Sequence, residues 1–180
     1  MSVIANYYLN KYGKPEREAE YITQDGRAVE IYKWTEEQCG EGVTMYATIG
    51  ANENLGDDQS SCEFFIGITP AADDIVEALA EVAFDGNGTN DVPSSGDTIT
   101  LAFNLWPKTK AKSFMFTDGT DIIPPLSHKN KNIKFIQLVP LFDEELIYKK
   151  KHGEEALWKY FEVKEVAYWN SLRNNSVKGV

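Results

Sequence analysis

Histidine is nearly missing from this chain: His128 and His152 are the only two in 180 residues. A histidine-based triad or a multi-histidine metal centre has almost nothing to draw on. No HExxH pair, nucleophile elbow, P-loop or Rossmann glycine pattern occurs either. Cysteine is as scarce. Cys39 and Cys62 have no CxxC spacing and read as reduced thiols of a cytoplasmic protein, with a single disulfide as the other option. No apolar run approaches the roughly 18 residues of a membrane span. The start, Met1-Ser-Val-Ile-Ala-Asn6, lacks the basic and apolar regions of a secretory signal. Positive charge is in deficit too: 18 Lys and Arg against 28 Asp and Glu give a net charge of −10. Phosphate neutralisation needs basic surface, so direct nucleic-acid binding is excluded as a general role.

What the chain does contain is core-forming material. It is 42% hydrophobic, with 4 Trp, 9 Tyr and 9 Phe, enough for one globular domain over residues 1–180. Phe135 to Leu141 is a short apolar run that reads as a strand covered on both faces, with Pro140 at its end or on an edge. A fully signposted helix follows: Asp143 as N-cap, Glu144 and Glu145 in the first turn, and Phe142 with Ile147 as a hydrophobic staple. Lys149, Lys150, Lys151 and His152 fill its last turn, and Gly153 is placed for a left-handed cap. Those positions account for His152 and for Asp143, Glu144 and Glu145 without chemistry; His128 falls in a polar loop.

Elsewhere, the spacing predicts a helix over residues 2–12 and a hairpin from Tyr21 to Trp34 about Asp25-Gly26. Strands are expected over Val43–Ala51, Cys62–Thr69, Thr98–Phe103 and Ser113–Thr117. Loops are expected over 35–42, 52–59, 85–95 and 122–132. An amphipathic helix is expected from Pro70 to Phe84, with Ile75, Leu79, Val82 and Ala83 as its apolar stripe. A second C-terminal helix spans Glu154–Phe161, Val166–Trp169 forms a last strand, and the chain frays from about Asn174. The fold class is α+β: a single domain with a mixed, largely antiparallel β-sheet packed with helices, ending in a helical pair.

Charge is the sharpest functional clue. Residues 1–120 hold 8 basic against 20 acidic residues, and between Arg27 and Lys108 the only cation is Lys33. On the Pro70–Phe84 helix, Asp73, Glu77, Glu81 and Asp85 recur every four residues and so line one face, with Asp74 beside them. This is either a solvated face or a docking stripe for a basic protein. The 52–59 loop, with Glu53, Asp57 and Asp58, is the second acidic site, and a hydrolase would work with carboxylate pairs such as Asp57 and Asp58. Asp85 to Asp91 mimics a calcium loop but has Asn90 where glycine is needed and Gly96 where a bidentate Glu is needed.

Gly42-Val-Thr-Met-Tyr-Ala-Thr-Ile-Gly-Ala51, Glu63-Phe64, Gly96-Asp97-Thr98 and the segment from Phe135 through Leu157-Trp158, in that order and spacing, resemble the suppressor-of-fused-like domain family. The resemblance runs from about residue 25 to 173 and is to the short bacterial members. It implies an α+β binding domain with no catalytic residues, cofactor or metal. It also implies kinship with immunity proteins that neutralise polymorphic toxins, often nucleases, including the antitoxin partners of LXG-type toxins. On that basis the expected partner is a cognate toxin with a basic nuclease domain, contacted through Asp73, Asp74, Glu77, Glu81, Asp85, Glu53, Asp57 and Asp58. A general protein-binding scaffold is the alternative, and a carboxylate-dependent hydrolase the more remote one.

Overall fold

The computed structural model describes residues 2–86 and 88–178. The first half runs α1 (Val3–Tyr12), β1 (Arg17–Ile22), β2 (Ala28–Trp34), α2 (Glu36–Cys39), β3 (Thr44–Ile49), α3 (Ala51–Asn54), β4 (Ser60–Ile68) and α4 (Ile75–Asp85). The second half runs β5 (Thr98–Thr100), β6 (Ser113–Asp118), β7 (Leu126–His128), β8 (Lys131–Leu141), α5 (Asp143–His152) and α6 (Glu154–Val163).

One sheet carries every strand, in the order β1-β2-β3-β4-β8-β6-β5, with β7 also on β8. The first four strands are an antiparallel meander. β8 then joins β4 in parallel, from Ser60 opposite Asn132 to Phe65 opposite Gln137, the one parallel pairing between the strands of the described residues. Strands at that junction are buried on both sides, which explains why β8 reads as a nearly continuous apolar run. Ile136 and Leu138 face α4, packing with Phe64, Ile66, Phe116, Ile75, Leu79 and Val82. Phe135 faces α1, where it meets Ile4, Tyr8 and Trp34. Val139 and Leu141, further along that second face, lie under Leu146, Leu157 and Phe161 of the C-terminal pair. Helices thus cover both sides of the sheet. Among the described residues no helix is long and apolar enough to cross a membrane.

Several boundaries differ from the sequence reading, each for a physical reason. Phe142, in an extended conformation, is the N-cap of α5 in place of Asp143, and its backbone N–H donates to the Glu145 carboxylate at 3.1 Å. The staple moves with it: Leu141 and Leu146 pack together, while Ile147 is 49% exposed. Gly153 does adopt a positive φ of 92°, but its ψ of 167° lies outside the left-handed helical region. The loops predicted at 35–42 and 52–59 contain the one-turn helices α2 and α3, and Thr35 with Gln38 forms a capping box on α2. The Ile122–Asn132 loop contains β7, closed onto β8 by Lys129 and Asn130, both at positive φ. Val166–Trp169 is a turn region and not a strand; it docks through Thr69, whose N–H donates to the Trp169 carbonyl at 2.9 Å.

Residues 174–178 are held in place rather than frayed. The buried Glu145 carboxylate accepts from Ser176 N at 3.1 Å and Ser176 Oγ at 2.7 Å, and Val177 is buried. Arg173 completes this centre with a bidentate pair to Glu145 at 2.6 and 2.9 Å. It also donates to the Pro140 carbonyl at 2.7 Å and lies over the Phe142 ring. Pro140 tolerates the strand because β4 pairing has already ended at Gln137. Removing the cation would strand a buried carboxylate, so Arg173→Ala should destabilise the fold by roughly 3–5 kcal/mol in chemical denaturation. A cost below about 1 kcal/mol would contradict this assignment.

Candidate protein-binding face

Helix α4 fixes where the acidic residues point. Ile75, Ala78, Leu79, Val82 and Ala83 are buried against the sheet, so Glu77, Glu81 and Asp85 are left on the solvent side. These three and Asp74 make no ion pair or side-chain hydrogen bond among the described residues. Like charges at four-residue spacing cost roughly 0.2–0.5 kcal/mol per pair. The Glu77–Glu81 and Glu81–Asp85 pairs therefore carry a small uncompensated penalty that a cationic partner would relieve.

Asp73 does not belong with them. The helix begins at Ile75, not Pro70, because residues 70–74 form a turn after the cis Thr69–Pro70 bond. Within that turn Asp73 points back to the sheet, accepting from Tyr46 Oη at 2.7 Å and pairing with Lys33 at 2.9 Å and Arg17 at 3.0 Å. Burial acts to raise its pKa, but the Tyr46 hydroxyl, Lys33 and Arg17 outweigh it and hold the carboxyl below the ordinary aspartate value. Lys33 bridges on to Glu16 at 2.8 Å. Asp73 thus anchors the start of α4 and is not free for a partner.

The second predicted acidic patch is divided. Glu53 and Asp58 are exposed. Asp57 is exposed but occupied, accepting from the N–H groups of Gln59 at 2.8 Å and Ser60 at 2.7 Å. Those two bonds hold its carboxyl below the ordinary range, the opposite of what a general acid requires. Asp57 lines a polar cleft of about 590 Å³ together with Asp91, Asp118 and Lys134. Asp118 is likewise turned inward on Thr120. In the loop that resembled a calcium site, Asn87 lies outside the described residues.

Glu63, part of the Glu63-Phe64 pair that carried the resemblance, was given no site role from the sequence. It is wholly buried where β3 and β4 separate, past the Ala47–Phe65 pair. Oε1 accepts from Gly50 N at 2.9 Å and Asn52 N at 3.2 Å; Oε2 accepts from Thr48 Oγ1 at 2.7 Å and Ala51 N at 3.2 Å. Glu63 therefore closes the sheet's split and ties down α3. The available signal was an acid inside the apolar run Cys62–Ile68. Burial pushes its carboxyl up, the four donors pull it back, and the balance leaves a pKa of about 7.

With this geometry, the comparisons are specific. The model of the suppressor of fused protein family matches residues 25–174. The chain belongs to the suppressor of fused family. Among curated relatives it is similar to immunity protein YqcF of Bacillus subtilis (strain 168), 23% identical over 191 residues that cover 97% of this chain and 96% of YqcF. Among solved structures, a suppressor of fused homologue from Neisseria gonorrhoeae FA 1090 superposes with a TM-score of 0.71 at 16% identity, covering 98% of this chain and 96% of that one. Drosophila Suppressor of Fused gives a TM-score of 0.65 at 14% identity, with 96% of this chain on 49% of that one. The α+β fold expected from the resemblance is thereby shown.

Glu63 makes a pH-dependent prediction. Its pKa rises from 4.5 in the unfolded chain to about 7 in the folded one, so the folded state holds a proton that the unfolded state releases. Its contribution is full below pH 4.5 and is lost as pH rises through about 7. Denaturant titrations of the wild type should therefore show a stability decline across that window that is absent in Glu63→Gln. Parallel profiles for the two proteins would refute this role.

Proposed function

We propose that this chain is an immunity protein that binds a cognate toxin and neutralises it stoichiometrically. The observation that carries the reading is its end-to-end similarity to immunity protein YqcF. The exposed carboxylates of α4 supply a physical means. Asp74, Glu77, Glu81 and Asp85 stand along one solvent-facing surface with no cation of their own, on a chain of net charge −10. A nuclease toxin carries basic groups where it grips phosphates, and these carboxylates would satisfy the same groups and occlude that surface. Glu53 and Asp58 extend the acidic surface. The mechanism is binding, without a catalytic step, cofactor or metal, and it operates in the cytoplasm, where such a toxin would act.

The ordering of effects is predictable. Long-range attraction between an acidic face and a basic partner raises the association rate, and salt screens it over roughly 10 Å at 0.1 M. Glu77→Lys, Glu81→Lys, Asp85→Lys together should slow association with the cognate toxin by about tenfold or more at low salt. The defect should shrink as salt is raised. The same variant should rescue cells poorly when that toxin is co-expressed. An association rate equal to wild type at all salt concentrations would remove these residues from the interface, and failure of the wild type to rescue would remove the toxin reading itself.

A further inference from the structure

The second face of the sheet is covered by two separate helical groups, and they do not meet. Helix α1 covers β2, β3 and β4, whereas α5 and α6 cover β6 and the end of β8. Between them a groove of about 320 Å³ opens directly onto the sheet. Met45, Phe65, Gly67 and Gln137 line it on the sheet, with Tyr12 from the end of α1 and Trp169 from the segment after α6. Its size is at the small end of the roughly 300–1,000 Å³ typical of ligand pockets and suits one or two side chains.

Two features make this a prepared recess. Gly67 allows Val43 to lie flat on the sheet, since a Cβ at Gly67 would stand 2.6 Å from Val43 Cγ2. Trp169 is 43% exposed, yet its backbone is fixed: its carbonyl accepts from Thr69 N, and Asn170 bridges to Thr69. Just beyond, Ser171 Oγ donates to the Pro70 carbonyl at 2.6 Å and the Ser171 carbonyl accepts from Trp106 Nε1 at 3.1 Å. The Trp169 indole also sits edge-on to the Tyr168 ring at 5.0 Å. An exposed aromatic on a fixed backbone contributes contact area at little entropic cost, the property that places Trp among interface hot spots.

The rim defines the occupant. Glu41 lines the groove. Glu36 accepts from Thr69 Oγ1 at 2.6 Å, beside the Trp169 attachment, and Glu37 is exposed next to it. Lys11 lies over the Tyr12 ring. Cys39 contributes no chemistry here, because burial holds its thiol at about 11, in the neutral form. A second copy of the chain is disfavoured, since it would set this acidic rim against its own equivalent on a molecule of charge −10.

We propose that the groove is a docking site for an aromatic or bulky aliphatic side chain of a protein partner, flanked in the partner's sequence by Lys or Arg. The partner's basic character rests on the toxin reading above, whereas the groove itself does not. The test is a titration of the isotope-labelled full chain with a Lys-Lys-Phe-Lys-Lys peptide, followed by NMR. Lys-Lys-Ser-Lys-Lys and Glu-Glu-Phe-Glu-Glu serve as controls. The expected result is saturable shifts of the Gly67 amide and the Trp169 indole by the first peptide, on the order of 1 mM in dissociation constant. Binding should weaken about tenfold in Trp169→Ala and in Glu41→Lys, and stay unchanged in Ile22→Ala, which alters an exposed apolar residue on β1. Equal shifts with the serine peptide, or shifts confined to α4, would overturn the proposal. A groove that takes the peptide in a chain that rescues no toxin would remove the toxin reading and leave the groove standing. A chain that rescues, but whose groove ignores the peptide, would overturn the groove alone.

Discussion

Everything in this molecule depends on the parallel pairing of β4 with β8. It joins an antiparallel meander built from the first third of the chain to strands supplied by the last half. Because it lies in the middle of the sheet, both faces of those strands must be shielded, and antiparallel economy of one buried and one wet face is not available there. Helix α4 shields one side. The other side is divided between α1 and the α5–α6 pair. Two surfaces follow from that arrangement: the outer face of α4 must be polar, and the seam between the two helical groups leaves sheet uncovered.

Buried charge is used here for closure. Glu63 fills the split between β3 and β4, and Glu145 with Arg173 fastens the segment around Ser176. In each case a carboxylate collects backbone N–H groups that secondary structure leaves unpaired. Gly96 belongs to the same logic. Its φ of +86° and the absence of a side chain let Lys149 reach its carbonyl while Glu154 packs over it, so the α5–α6 pair is fixed to the loop before β5. None of these groups faces solvent in a way that suggests turnover.

The strand-to-helix segment from Phe135 to Gly153 was legible as elements because its signals are local, although its N-cap and staple lie one residue earlier and Gly153 leaves the left-handed helical region. Asp73 was not. Four-residue spacing defines a face only where all members lie on the helix, and the turn at 70–74 redirects that carboxylate to Lys33 and Tyr46. Arg173 and Glu145 are 28 residues apart and have no local pattern linking them, so the ordered tail was invisible. β7 read as a loop because its three residues, flanked by prolines and lysines, carry little strand propensity and are held by β8. The groove is assembled from distant parts of the chain, and periodicity cannot show a gap between helices.

The proposed immunity role turns on the acidic outer face of α4, which lies on the opposite side of the sheet from the seam beside Trp169. Hydrogen–deuterium exchange on the chain mixed with a candidate cognate toxin tests that role most directly. Added protection in residues 74–86, with the outer surface of α5 and α6 unchanged, is the predicted result. Protection confined to α5 and α6, with none at α4, would contradict it.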